Sequence, residues 1–164
     1  MRRFLVISAV LTALTVPLAQ AGTSQGDGTL SVKKGRGTLM LKLKGTVIGR
    51  VNTSGRVQIR DLKPFDGNNP QLTCQPKPRH LSLGVTLCTG KNIAFRVNDG
   101  RFNVSVKGNG ISISAVGRGW VDVDGTGETG AADGLMSIDN GPYQSLPDAK
   151  ATFYLGTPPS QPVR

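Results

Sequence analysis

Aromatic residues are scarce in this chain, at 5% of 164 positions, and there is one histidine, one tryptophan and a single pair of cysteines. Each scarcity narrows the field. With so few rings, a stacking platform interleaved with basic residues, as single-stranded nucleic acid requires, is not expected, and no specific nucleic-acid recognition is assigned. A lone His80 with no neighbouring nucleophile motif leaves no Ser-His-Asp or Cys-His arrangement. Cys74 and Cys88 are spaced neither as C-x-x-C nor as a zinc pattern, so no metal site is built on them. No catalytic residue and no cofactor is assigned. Acidic residues are also few, 10 against 20 Lys+Arg.

Long apolar runs are missing too, except at the start. Met1-Arg2-Arg3 is a short positive segment, Phe4 to Leu18 is almost wholly apolar, and Ala19-Gln20-Ala21 places small residues where a signal peptidase reads. The run is shorter than the roughly 20 residues a membrane span needs, and it lacks the polar face of a buried core helix. Residues 1–21 are therefore read as a secretory signal peptide, with the mature chain beginning at Gly22. No cysteine near the cleavage site supports a lipid anchor, and the Arg-Arg pair lacks the spacing of a twin-arginine signal. The expectation is a secreted or extracytoplasmic protein, in periplasm, on a cell surface or in the medium, with no transmembrane segment after cleavage. Leu146-Pro147-Asp148-Ala149 is no sortase signal, because no apolar segment and basic tail follow it. The sequons at Asn52 and Asn103 matter only in a eukaryotic secretory route, and the compact Arg-Arg start reads as bacterial.

Export places the two cysteines in an oxidising compartment, which predicts a Cys74–Cys88 disulfide. The 143 residues from Gly22 onward suit one domain, large enough for a core without a disulfide framework. Charge is uneven along it: residues 22–118 carry 16 Lys+Arg against 4 Asp+Glu, and residues 119–164 carry 2 against 6. A basic body of this kind attracts polyanions at long range.

Residues 22–28 read as a flexible leader and 157–164 as a disordered tail, leaving a single domain over 29–156. Within it apolar residues recur with period two. Leu39, Leu41 and Leu43 alternate with Met40 and Lys42, and Val57 and Ile59 with Arg56 and Arg60. The same holds for Phe102, Val104 and Val106, for Ile111 and Ile113, and for Val121 and Val123. Glycine punctuation falls between them, and Asn98-Asp99-Gly100 and Lys107-Gly108-Asn109-Gly110 read as hairpin turns. No amphipathic helix follows the signal. The expected fold is all-β: an antiparallel β-sandwich, or a partly closed barrel, of about nine to ten short strands.

The pattern also repeats. Residues 37–45 align with 100–108, and 55–60 align with 119–124 after one inserted residue, with every inward position apolar in both copies. An internal duplication is one reading, and chance resemblance of glycine-punctuated strands the other. The two outward faces differ. The first carries Lys42, Lys44, Arg56 and Arg60; the second carries Ser105, Lys107, Trp120, Asp122 and Asp124.

The first face could bind an anionic polysaccharide, an envelope polymer or another protein, or it could be a solvated surface that discourages edge pairing. Trp120 could stack on a sugar ring, or lie covered by residues 151–155. The loop from Asp122 to Asp133 has oxygen residues at calcium-loop spacing, but strand-like flanks and an Asp at the last position. The leading expectation is a non-catalytic extracytoplasmic binding module using Lys42, Lys44, Arg56, Arg60 and Trp120. The rivals are a secreted hydrolase working through the carboxylates around Asp122–Glu128 and a purely structural envelope protein.

Overall fold

A computed structural model describes residues 26–128 and 132–158. The expected signal peptide, most of the leader and the tail from residue 159 lie outside the described residues. Among those described the chain is all-β, without helix. There are eight strands: β1 (Gly28–Val51), β2 (Gly55–Asp61), β3 (Gln71–Gln75), β4 (Arg79–Ser82), β5 (Val85–Asp124), β6 (Leu135–Ile138), β7 (Gln144–Ser145) and β8 (Ala151–Leu155). They form one sheet in the order β2-β5-β1-β6-β7, with β3, β4 and β8 also paired to β5.

Two strands dominate, at 24 residues for β1 and 40 for β5. The count of eight falls below the nine or ten short strands expected, because glycines taken as turns lie inside continuous strands. Neither Asn98-Asp99-Gly100 nor Lys107-Gly108-Asn109-Gly110 reverses the chain; both sit within β5. A hairpin at either place would have ended the strand. Instead the backbone takes left-handed values, φ 36° at Asp99 and 70° at Gly110, and continues. Of the stretch expected as a leader, residues 26–28 are described: Gly28 belongs to β1, Asp27 pairs with Arg118 at 3.0 Å, and the Gly26 carbonyl accepts a hydrogen bond from the Thr157 amide.

The register explains how strands of this length stay within one domain. β1 runs antiparallel to β5 from the Gly28–Gly117 pair to the Val51–Ile93 pair. Its second half pairs with β5 again on the other edge, from Thr38–Asp124 to Val51–Ile111. Gly28 and Gly45 of the same strand thus flank Gly117 from opposite sides. Straight, the seventeen residue steps from one to the other would span about 55 Å, yet two strand spacings put them about 10 Å apart. β1 therefore coils through a full turn. β5 does the same, since Gly100 and Gly117 both flank Gly45.

Glycines mark the corners of this coil. One row across the sheet is Gly28, Gly117, Gly45, Gly100; a second is Gly37, Gly108, Gly55, Gly90. At Gly45 an added Cβ would lie 2.1 Å from the Val116 carbonyl oxygen, and at Gly117 2.3 Å from that of Lys44. The neighbouring backbones fill the space a side chain needs.

Inside the coil lie the residues that period two assigns inward. Leu39, Leu41, Leu43, Val57, Ile59, Phe102, Val104, Val106, Val121 and Val123 are all buried. They form one core with Leu30, Val32, Ile93, Phe95, Ile111 and Ile113. The aligned segments are direct neighbours: Leu39 faces Val106, Leu41 faces Val104 and Leu43 faces Phe102. Exchanging the two copies maps this set of pairs onto itself. β2 lies beyond residues 100–107, with Val57 opposite Val106 on one side and Cys88 on the other, and partner numbers fall as its own rise. Residues 119–124 lie beyond β1, with Val121 opposite Leu41. These two outer pairings differ by two residues in register between the copies, a slip that keeps inward positions inward.

The Cys74–Cys88 disulfide is present and joins β3 to β5.

Candidate functional site: a basic sheet face

Strand parity turns Lys42 and Lys44 of β1, Arg56 and Arg60 of β2, and Arg101, Lys107 and Trp120 of β5 away from the core, and all seven are exposed. The cross-strand register then groups them. Trp120, Lys42, Asn103 and Arg60 make one row, since Lys42 lies opposite both Trp120 and Asn103, and Arg60 opposite Asn103. Lys44 lies between Arg101 and Arg118 in the next row. Arg56 lies opposite Lys107. Neighbours in a row are about 5 Å apart and successive outward residues on a strand about 7 Å.

The structure thus brings all five residues singled out from the sequence onto one face. It corrects the division of that face into two. The copies are interleaved, in the order 119–124, β1, 100–107, β2, so both outward sets share one surface. Arg101 and Arg118 were missed for this reason: as flanking residues of separate repeats they look isolated, and only pairing aligns them with Lys44. Among the described residues, Lys42, Lys44, Arg56, Arg60, Arg101 and Lys107 form no ion pair. Uncompensated like charges at such spacing repel one another and favour a bound anion.

Trp120 lies at the acidic margin of the face. β8 pairs beside it, Trp120 opposite Tyr154, with the rings edge-to-face at 4.8 Å between centroids. Coverage by residues 151–155 is incomplete, because a strand added at the edge packs alongside the indole and not over it. The side chain keeps 50% of its exposure. Asp122, two residues on, is held by the Thr152 hydroxyl at 2.7 Å and by Lys150 at 3.2 Å. The Thr152 hydrogen bond chiefly holds its carboxyl below the ordinary range, with Lys150 and Lys42 adding to the effect.

Two of the other acids named from the sequence are held by different partners. Glu128 pairs with Arg36 at 3.2 Å. Asp133, nearly fully buried, accepts hydrogen bonds from the Thr126 hydroxyl, the Thr126 amide and the Gly127 amide. Its carboxylate thereby ties residue 133 to residues 126 and 127. Among the described residues no three Asp, Glu, His or Cys side chains gather as a metal site. His80 stands exposed on β4, its Nδ1 3.1 Å from the Thr86 hydroxyl.

The Thr126 hydroxyl, with the two amides, lowers the Asp133 carboxyl below its ordinary value of 3.8. A carboxylate with a depressed folded-state pKa stabilises the fold above its unfolded value and loses that contribution as pH falls through the folded one. Asp133→Asn is therefore expected to melt below wild type at pH 7, with the gap closing as the pH approaches 2. Thermal melts across that range check it, and a gap independent of pH would refute the assignment.

No protein family, curated protein or solved structure matches the chain.

Proposed function

We propose that the chain is a non-catalytic extracytoplasmic module that binds an acidic polysaccharide of a cell surface or envelope through the face bearing Lys42, Lys44, Arg56, Arg60, Arg101 and Lys107. The observation that carries this is six cations on adjacent strands, none in an ion pair among the described residues, in register with a half-exposed Trp120. Spaced cations suit a polymer with repeated carboxylate or sulfate groups, and an indole at the end of a cationic row suits a sugar ring. The extracytoplasmic setting rests on the export signal expected at residues 1–21 and accords with the disulfide.

The architecture reading is a sandwich formed by one flattened coil, the long strands crossing from layer to layer at the two glycine rows. The exchange of pairs between residues 37–45 and 100–108 supports an internal duplication, in which each copy completes the other's sheet.

The protein is expected to be retained on immobilised heparin and released by moderate salt. Reversing Lys42, Arg56 and Arg60 to Glu should weaken binding at least tenfold at physiological ionic strength, and Trp120→Ala should weaken it with little change in salt dependence. Retention unchanged by the triple reversal would sink the proposal.

A further inference from the structure

On the side of the sheet formed by residues 28–33, 46–51, 91–97 and 111–116, a second feature bears no relation to the basic face. A cavity of about 550 Å³ opens there, lined by residues of β1, β3 and β5. Its size falls within the range of small-molecule sites.

The register shows why it exists. Arg50 lies opposite Ala94 and Ser112, and Ile48 opposite Arg96 and Ser114. Thr73 of β3 continues the first row beyond Ala94, and Gln71 continues the second beyond Arg96. Short outward residues thus alternate with long ones across this surface: Arg50 stands between Ala94 and Ser112, and Ile48 has Ser114 on one side, so space opens beside the longer side chains. Ile48 contributes an apolar wall that is half exposed to solvent, and Phe95 and Ile113, both buried in the core, also border the cavity.

Charge in the cavity is of one sign. Arg50 and Arg96 both line it, and none of the lining residues is acidic. They are diagonal neighbours on adjacent strands, about 7–8 Å apart at their stems, so both guanidinium groups can converge on one anion. Arg96 is oriented by a 2.6 Å hydrogen bond from its Nε to the Asn98 side-chain oxygen. Arg50 forms no ion pair or side-chain hydrogen bond among the described residues, which leaves its donors available. An apolar wall beside two neighbouring cations is complementary to an amphipathic anion: one head group for the arginines, one compact apolar body for Ile48.

We infer that this cavity is a binding site for a small amphipathic anion, a molecule of one to three rings or equivalent bulk carrying a single carboxylate or sulfonate. Arg50 and Arg96 hold the head group. Ser112 and Ser114 offer hydroxyls to its remaining oxygens.

Fluorescence titration of the full chain with anilinonaphthalene sulfonate tests this, with phenylnaphthylamine as the same aromatic body lacking the charge. The expected result is saturable binding of the sulfonate at one site and at least tenfold weaker binding of the neutral analogue. Arg50→Glu/Arg96→Glu should lose at least tenfold in sulfonate affinity. Ala94→Phe, which fills the cavity from an exposed strand position, should abolish binding of both probes without lowering the melting temperature appreciably. The triple reversal at Lys42, Arg56 and Arg60 should bind the sulfonate as wild type does, which separates this site from the basic face. Equal affinity for the two probes, or sulfonate binding unaffected by both cavity variants, overturns the inference.

Discussion

Replacing Gly45 by alanine is expected to cost about 4 kcal/mol or more, whereas the same change at Gly100, directly opposite it, should leave stability within about 0.5 kcal/mol of wild type. The two glycines share one row of the sheet, yet their surroundings differ. Gly45 has φ +153°, a conformation that L side chains rarely adopt. Its added Cβ would stand 2.1 Å from the Val116 carbonyl oxygen and 2.7 Å from the Gly117 Cα, both backbone atoms of the neighbouring strand. No rotamer change relieves such a clash. β1 and β5 would have to separate where Gly45 pairs on both edges, so ladder hydrogen bonds stretch along with the strain. Backbone strain of this class costs roughly 1–3 kcal/mol by itself, and displacement of a central strand adds to it. Gly100 has no left-handed φ, and nothing lies within 4 Å of its added Cβ. Alanine there loses no contact and removes freedom from the unfolded chain. Urea unfolding of both variants, with Gly117→Ala as a second intolerant position, checks the contrast. A Gly45→Ala protein within 1 kcal/mol of wild type would show that these glycines are not the corners of the coil.

This contrast also marks what a reader of the sequence alone can and cannot see. Inward and outward assignment follows from period two, because one buried face forces alternation whichever strands are neighbours. Leu39, Val57, Phe102 and Val121 were therefore legible as core. Glycine is ambiguous: the same residue serves a reversal or a bend, and local sequence does not say which. At Gly108 the deciding fact is non-local. The partner positions across the row are Gly37 and Gly55, which lets the ribbon fold as a unit without ending. The repeat was visible, but not its consequence, that one copy's strands lie between those of the other. The basic face needed that step. Lys42, Lys44, Arg56 and Arg60 are legible from parity within one copy, whereas Arg101 joins them only because residue 101 lies opposite residue 44. The cavity beside β3 left no mark in the sequence, since Arg50, Thr73, Ala94, Arg96 and Ser112 come from four separated segments with no shared motif.

Removing the disulfide is expected to have the second largest effect, a loss of about 3 kcal/mol, with the damage concentrated in the β3–β4 arm. Cys74 and Cys88 are 14 residues apart, and closing a loop of that length constrains the unfolded chain by about 3 kcal/mol in the chain-entropy account. In the folded protein the arm has few other ties. β3 holds β5 through four residue pairs, and every residue of β4 is exposed. Cys88 is buried beside Val57, whereas Cys74 is partly exposed. The informative variant is therefore Cys74→Ser/Cys88→Ala, because a serine at position 88 would bury a hydroxyl and add a cost unrelated to the bridge. It should melt roughly 10 °C below wild type. Amide exchange should accelerate over residues 71–82 while Leu41 and Val104, at the centre of the core, stay protected up to the reduced global stability. A melting temperature within 2 °C of wild type, together with unchanged exchange in the arm, would mean that strand pairing alone holds it. Wild-type protein made in a reducing cytosol should resemble the variant until it is oxidised. On this reasoning the cysteines, though they contribute no chemistry to the basic face, couple the stability of the domain to the compartment in which that face would meet its polyanion.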